Sequence, residues 1–332
     1  MTLPIKVVLP VAIAALTVAA TDPLVRAQAA LEVLPAQGQV SVLVSAAANA
    51  AVQIGADGPL VVDTQPAAMS ERMLAAIRTL SPRPIRHIVL TSGDDRSAGG
   101  APALAKAGRF VRVIDSIDPR GIDTRASIIA HLNVLNRLTA ANGPSGAWPT
   151  DTYFTPQWPI FSNGEGIELV HVPNAHTDGD TIVFFRRSDV VVAGAIFDTT
   201  AYPRFDAGKG GSIDGVIEGL NRILDIAIPG ENQEGGTDVI PGRGRLADET
   251  DVANYRDMVT IVRDRIREMV KKSATLDEVK RARPTSDYDG IYASAEWPPG
   301  RFVEAVYHSV ARTARSSRTR SLGPRAPPCS RL

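Results

Sequence analysis

The sequence predicts a mixed α/β (α+β) chain, a sandwich of two mixed β-sheets flanked by helices. Two β-rich halves, each interrupted by helices, support this fold class. Strand-like apolar runs in the first half lie at 40–44, 50–54 and 59–63, and the turn residues Asp57 and Gly58 separate the last two. Strand-like runs in the second half lie at 166–170, 181–185 and 190–193.

The helices are predicted from apolar residues at helical spacing. Residues 70–80 are the clearest case, because Ser70 and Glu71 suit a helix start and Pro82 follows its end. The same spacing predicts helices at 102–107, 125–138, 215–226, 250–272, 276–281 and 302–311. Further strands are predicted at 85–90, 110–114 and 238–240. Residues 142–159, rich in Gly, Pro and aromatic side chains, are predicted to form a long loop over one face.

Composition limits the functional classes. The chain has 332 residues and a formal net charge of zero, so no nucleic-acid partner is expected. Its single cysteine, Cys329, excludes a disulfide framework and a cysteine-based zinc cluster. Residues 312–332 are rich in arginine and contain no acid, and they are predicted to form a basic disordered tail. A basic arm for nucleic acid or anionic lipid is the alternative role of that tail.

The N-terminus predicts export. Lys6 precedes an apolar run, residues 7–20, that ends in small residues, which is the layout of a secretory signal peptide. We expect cleavage of residues 1–20, or a few residues later, and a folded domain at 30–311. The run is too short for a convincing membrane span, although an uncleaved anchor is the alternative. The mature protein is expected to be periplasmic or secreted, without a membrane span.

A polar loop that follows a buried strand is the strongest functional signal. The apolar run 88–90 stops at Thr91, and a helix is predicted just after Gly100. A strand that delivers polar side chains at its C-terminal end commonly builds a reaction centre. The polar side chains between these points are Ser92, Asp94, Asp95, Arg96 and Ser97.

This loop resembles the metal-binding loop Thr-His-x-His-x-Asp-His-x-Gly-Gly of the metallo-β-lactamase superfamily. That family has four further landmarks, one before this loop and three after it. They are matched by Asp63 at a strand end and by the segments 174–180, 193–197 and 241–244. The resemblance spans nearly all of the mature chain and implies a four-layer αβ/βα sandwich. It also implies where a dinuclear zinc site and a hydrolytic activity would lie.

The positions that bind metal in that family are occupied here by Ser92, Asp94, Arg96, Ser97, His176, Ala195 and Arg243. The resemblance implies aspartate in place of Arg96 and Ala195, and histidine at the other five. Asp94 and His176 therefore remain as the candidate ligands or catalytic residues. Zinc needs about three protein ligands of the His, Asp or Cys type, and a guanidinium repels a cation. We expect no metal or other cofactor, with zinc as the cofactor only if a working site survives.

The leading hypothesis is an exported pseudoenzyme whose pocket binds a small anionic ligand through Arg96 and Arg243. Arg96 is expected to pair with Asp63 or Asp94, and Arg243 to approach His176 and Asp198. The simpler alternative is that both arginines only neutralise leftover carboxylates.

Two other functions remain open. A metal-dependent hydrolase of lactams, lactones, thioesters or phosphoesters would use an atypical site around Asp94 and His176. An oxygen-rich Mg²⁺ or Ca²⁺ site would need aspartates from the group Asp95, Asp178, Asp180 and Asp198. A partner-binding protein would instead use the aromatic side chains of residues 142–159, which are Trp148, Tyr153, Phe154 and Trp158.

Other candidate residues carry weaker signals. The remaining histidines are expected to be packed or solvated, although His171 precedes His176 closely enough to line the same pocket. Residues 208–212 precede a helix and offer backbone N–H groups and Lys209 to an anion. No Gly-x-Ser-x-Gly nucleophile elbow is present. The other histidines are His87, His131 and His308.

Overall fold

The computed structural model describes residues 31–110, 124–141 and 145–321, with side chains described as far as Thr313. The predicted signal peptide, most of the predicted strand 110–114 and Cys329 lie outside the described residues. Two sheets form the centre of the described part of the chain. The predicted sandwich of two mixed sheets is confirmed.

The first sheet has seven strands arranged in chain order from one edge to the other. They are β1 (Glu32–Pro35), β2 (Val40–Val44), β3 (Asn49–Gln53), β4 (Leu60–Val62), β5 (His87–Val89), β6 (Ser127–His131) and β7 (Asp151–Tyr153). β1 to β4 pair antiparallel, and β4 to β7 pair parallel. The carboxyl ends of β4 and β5 therefore meet at one edge of the sheet, where Asp63 and the polar loop begin.

The second sheet has five strands in the order β12, β11, β10, β9, β8. They are β8 (Gln157–Ser162), β9 (Glu165–Val172), β10 (Asp180–Phe185), β11 (Val190–Asp198) and β12 (Asp238–Arg243). Neighbouring strands pair antiparallel from β8 to β11, whereas β11 and β12 are parallel. The pairing of β11 with β12 shifts register on both sides of Gly194, which is the irregularity of a β-bulge.

Helices cover the outer face of each sheet. They are α1 (Ser70–Leu80), α2 (Asp95–Ala98), α3 (Ala101–Ala107), α4 (Leu132–Ala140), α5 (Ile213–Leu224), α6 (Glu249–Lys271), α7 (Leu276–Ala282), α8 (Asp289–Tyr292) and α9 (Pro299–Ser321). Short 3₁₀ turns lie at Ala67–Met69, Ser145–Ala147 and Ala207–Lys209. No helix in the described part of the chain is both long and apolar enough to cross a membrane.

Three apolar layers hold the sandwich together. Residues of α1, α3 and the first sheet form one outer layer, in which Met73, Ile88 and Leu104 are fully buried. Residues of α5, α6, α7, α9 and the second sheet form the other outer layer. The middle layer joins the two sheets through residues such as Val62 and Phe185. This arrangement is the four-layer αβ/βα sandwich that the family resemblance implies.

Two local predictions are wrong, and in both cases strand pairing determines the structure. Residues 125–138 do not form one helix, because Ser127–His131 is the strand β6 and α4 begins only at Leu132. Ile128 and Ile129 are β-branched residues that pack on opposite faces of the first sheet. The predicted loop 142–159 contains β7 and the start of β8, which are edge strands of the two sheets.

The aromatic segment and the start of the tail also differ from what the sequence predicts. Tyr153 is buried, and its hydroxyl lies 2.6 Å from that of Thr181. It is therefore not available to a partner, whereas Phe154 is 78% exposed and Trp158 is 44% exposed. The backbone of α9 is helical as far as Ser321, so the first residues of the predicted tail continue this helix.

A buried carboxylate connects the two sheets at the end away from the polar loop. Glu165, the first residue of β9, accepts hydrogen bonds from the Gln53 side chain of β3 (2.6 Å) and from the Ser188 hydroxyl (2.8 Å). The backbone N–H groups of Arg187 and Ser188 donate to its other oxygen, each at 3.0 Å. Four donors thus converge on a side chain with almost no solvent exposure.

Candidate functional site

A cavity of about 370 Å³ lies where the strand ends of the two sheets approach each other. Its lining contains most of the residues predicted from sequence, namely Asp63, Asp94, Asp95, Arg96, Ser97, His176, Ala195, Asp198 and Arg243. Ser92 is fully buried behind the cavity, where its hydroxyl accepts from the backbone N–H of Asp94 at 3.2 Å. A larger groove of about 680 Å³ borders α9 but contains none of these residues. Most of the predicted site residues therefore share one pocket, whereas Ser92, Asp178 and Asp180 do not line it.

The polar loop is fixed to the end of β4 by Asp63. This carboxylate accepts hydrogen bonds from the Thr91 backbone N–H (2.8 Å) and hydroxyl (2.6 Å). Burial raises the pKa of Asp63 to about 6, against the lowering effect of the two bonds from Thr91. Gly194 packs directly on Thr91, since a Cβ there would lie 2.3 Å from the Thr91 hydroxyl oxygen. Asp63 therefore holds the loop in place, and it does not pair with Arg96.

Asp94 and His176, the two remaining family-type ligands, are hydrogen-bonded to each other. The His176 Nε2 atom contacts one oxygen of Asp94, and the Lys209 ammonium donates to the other at 2.8 Å. His176 Nδ1 donates to the backbone carbonyl of Arg204 at 2.8 Å. Both ring nitrogens therefore face acceptors, which is the pattern of a doubly protonated imidazole.

The charges of this group stabilise one another. Burial opposes protonation of His176, but the hydrogen bond from its ring to Asp94 and the nearby Asp180 carboxylate raise its pKa to about 9. Burial likewise opposes ionisation of Asp94, but His176 and Lys209 hold the pKa of Asp94 well below its ordinary value. The pair is thus an ion pair at neutral pH, and Lys209 completes it.

Three guanidinium groups form the opposite wall of the cavity. Arg96, Arg204 and Arg243 all approach one carboxylate oxygen of Glu296, at 3.1, 3.0 and 3.5 Å respectively. Burial and the positive charges of Arg204 and Arg243 lower the pKa of Arg96, although a guanidinium stays charged in any protein. We call Arg96, Arg204 and Arg243 the arginine cluster.

The arginine cluster is only partly satisfied by protein acceptors. The Nε atoms of Arg204 and Arg243 are buried and have no hydrogen-bond acceptor among the described residues. Arg243 Nε does lie 3.3 Å from Asp198, as the sequence predicts, but this contact is an ion pair without hydrogen-bond geometry. Buried donors without a partner are unusual, and both belong to side chains that line the cavity.

The remaining aspartates do not assemble an oxygen-rich metal site. Asp178 pairs with Arg137 at 2.6 Å, and Asp180 accepts from the Thr177 backbone N–H and hydroxyl at 2.7 and 2.8 Å. Burial raises the pKa of Asp180 to about 6, against the charge of His176. No group of three or more His, Cys, Asp or Glu side chains among the described residues is arranged to hold a metal ion.

The chemistry of the donors also does not fit the dinuclear zinc that the fold family implies. A doubly protonated imidazole has no lone pair to give a metal, and both oxygens of Asp94 already face cationic donors. Lys209 and the arginine cluster add four positive charges around the positions where zinc would lie. The described side chains therefore do not form a zinc site.

His87, His131 and His171 lie outside the pocket and are packed, whereas His308 is exposed on α9. His131 and His171 stack with ring centroids 3.6 Å apart, and His171 Nε2 donates to the Asp178 carbonyl at 2.9 Å. Burial lowers the pKa of His131 to about 4, so it is neutral at pH 7. His87 lies against Phe110, with ring centroids 4.8 Å apart. None of these rings reaches the cavity.

Three functional residues were not placed correctly from sequence. Arg204 and Glu296 lie in irregular segments without a motif, so no local pattern identifies them. Lys209 was noted as a possible anion donor beside a helix N-terminus, but its ammonium binds Asp94 instead. Arg96, Arg204 and Arg243 are far apart in sequence and all positively charged, and only the fold brings them to one cavity.

Solved structures with the same fold are found by structural comparison. A metallo-β-lactamase from Pontibacter korlensis superposes with a TM-score of 0.54 at 14% identity, covering 70% of this chain and 99% of that one. The DIM-1 metallo-β-lactamase gives a TM-score of 0.52 at 16% identity, over 69% and 97% of the two chains. The sec-alkylsulfatase Pisa1 from Pseudomonas sp. gives 0.61 at 12% identity, over 84% of this chain and 50% of its own.

These similarities establish the architecture. The chain has the metallo-β-lactamase fold. No protein-family model and no curated protein sequence matches it. Because identities of this size show the fold alone, function has to be argued from the pocket.

Proposed function

We propose that this chain is an exported metallo-β-lactamase-fold pseudoenzyme whose pocket binds a small anionic ligand without a metal. The convergence of Arg96, Arg204 and Arg243 on one wall of the cavity carries the proposal. Guanidinium groups bind carboxylate, sulfate and phosphate oxygens through paired N–H donors, and these bonds are stronger than those between neutral groups.

The distribution of charge within the pocket supports an anionic ligand. The carboxylates of Asp63 and Asp94 already accept hydrogen bonds from donors of their own, so they do not compete for the arginine cluster. Arg96, Arg204 and Arg243 line the cavity and share one carboxylate oxygen of Glu296, so their guanidinium groups keep donor capacity for an incoming oxyanion. An anion at this wall would gain charge-assisted bonds without displacing core side chains.

Calorimetric titration tests the proposal with two probes, inorganic phosphate and zinc. We expect phosphate to bind and Arg96→Gln to weaken its affinity by about tenfold, the loss of one charge-assisted hydrogen bond. Arg222→Gln is the matched control, because Arg222 is an exposed helical arginine paired only with Asp225. Its phosphate affinity should equal that of the wild type.

The zinc titration decides between this proposal and the metal-dependent hydrolase. Zinc should not bind with sub-micromolar affinity at neutral pH, because the donors near Asp94 are occupied and the surroundings are cationic. Tight zinc binding, together with lactam, lactone, thioester or phosphodiester hydrolysis that His176→Ala abolishes, would replace the pseudoenzyme with a hydrolase. The Asp94–His176 pair is the observation that keeps this second function open.

Export is the part of the proposal that rests on Lys6 and the apolar run 7–20. Expression with the full N-terminus should place the protein in the periplasmic or secreted fraction. Its first residue should follow Ala20 or lie a few positions later, as N-terminal sequencing would report. Recovery of the chain with residues 1–20 intact would contradict cleavage.

A further inference from the structure

Glu296 reaches the arginine cluster from outside the sandwich. It lies in the irregular segment between α8 and α9, and its side chain is 63% exposed although its carboxylate touches three guanidinium groups. Each of those arginines is much less exposed, down to 13% for Arg243. The carboxylate is therefore an exposed group placed over a more buried cationic wall.

The bonding of Glu296 is weaker than the cluster can support. A single oxygen, Oε2, receives all three contacts, and the contact with Arg243 is long at 3.5 Å. The buried Nε donors of Arg204 and Arg243 remain unpaired while Glu296 is in place. A planar or tetrahedral oxyanion offers several oxygens to the three guanidinium groups, whereas Glu296 offers them one.

The segment that carries Glu296 is anchored independently of this carboxylate. The guanidinium group of Arg301 lies over the Trp297 ring, 5.4 Å from its centroid, and donates to the Glu296 backbone carbonyl at 3.4 Å. The Trp297 backbone N–H donates to the Ser294 hydroxyl at 3.0 Å. The Glu296 side chain can therefore leave the cluster by rotation of its own bonds, while the backbone stays in place. Exposed ion pairs of this kind are easily exchanged.

We infer that Glu296 occupies the arginine cluster as an internal competitor, and that an oxyanion such as phosphate or sulfate binds there by displacing it. This inference rests on the proposed anion-binding function and adds how access to the site is regulated. The ligand class is a small oxyanion or a molecule that carries one, with at least two oxygens for the guanidinium donors. The Glu296 carboxylate then swings into solvent, where water replaces its three contacts.

The test is calorimetric titration of inorganic phosphate into the wild type and into Glu296→Gln at constant ionic strength. Removing the competing charge should tighten phosphate binding by at least about tenfold. Glu268→Gln is the matched control, since Glu268 is an equally exposed glutamate paired with Lys271 on α6. It removes the same net charge far from the pocket and should leave the phosphate affinity unchanged.

A second variant separates displacement from a general effect of charge. Glu296→Asp keeps a negative charge in the segment but shortens the side chain, so it should lose the three contacts and also bind phosphate more tightly. Wild-type affinity in both Glu296 variants would overturn the inference and leave the proposed function intact. Phosphate binding to neither the wild type nor Glu296→Gln would overturn both.

Discussion

Replacing Glu165 with alanine should lower the free energy of unfolding by about 4 kcal/mol, because several buried donors lose their acceptor at once. The Gln53 side chain, the Ser188 hydroxyl and two backbone N–H groups all point at this carboxylate. Each unsatisfied buried donor costs about 1–3 kcal/mol, and partial rearrangement reduces the sum. Urea unfolding at neutral pH measures the loss.

Glu168→Ala is the matched control for this prediction. Glu168 lies on the same strand, β9, but is only half-buried, so its replacement should change stability by less than about 1 kcal/mol. Glu165→Gln should fall between the two, because it retains one acceptor oxygen but turns an amide group toward a donor. Equal stability of the Glu165→Ala and Glu168→Ala variants would show that the carboxylate does not connect the sheets.

Replacing Asp94 with asparagine should destabilise the protein by about 3 kcal/mol at pH 6 and by only about 1 kcal/mol at pH 10. The pKa of His176 is raised above its ordinary value, to about 9. Its charge therefore contributes stability that is complete below the unfolded pKa near 6.5 and is lost as the pH rises through 9. The hydrogen bond from Lys209 to Asp94 accounts for the destabilisation that remains at pH 10.

The pH range from 6.5 to 9 isolates the contribution of the His176 charge to stability. Asp63 and Asp180 have pKa values raised to about 6, so they complete their titration at lower pH. Wild-type stability should therefore decline across this range more steeply than that of Asp94→Asn. Asp225→Asn, which alters an exposed ion pair with Arg222, serves as the control and should parallel the wild type. Parallel curves for the Asp94 variant would mean that His176 is neutral in the folded protein.

Much of the fold could be predicted because each signal was local. Helix α1 was predicted with its observed bounds, since Ser70 begins a clear apolar spacing and prolines follow it. The segment 127–131 was misassigned because Ile128 and Ile129 also fit a helical stripe with the leucines that follow. Its pairing with the neighbouring strands β5 and β7 determines that it is a strand.

The sequence predicted where the candidate site lies but not which of its side chains bond to each other. A strand end at Asp63, the loop after β5 and the segment around His176 each carried a family pattern, and all three border the cavity. The sequence predicted Arg96 beside Asp63 or Asp94, but its partner is Glu296, 200 residues away. Charge pairing between distant irregular segments has no periodicity or spacing to reveal it.

The arginine cluster is assembled from segments near residues 96, 204 and 243, and the Glu296 carboxylate comes from a fourth segment. None of these segments can create the site alone, so the anion affinity that we propose would belong to the folded chain and be absent from the unfolded one. By ligand linkage, an anion at a hundred times its dissociation constant would raise the unfolding free energy by about 2.7 kcal/mol. The stability of the protein would then depend on the buffer. Melting temperatures measured in phosphate should exceed those measured at the same pH in a buffer that contains no oxyanion.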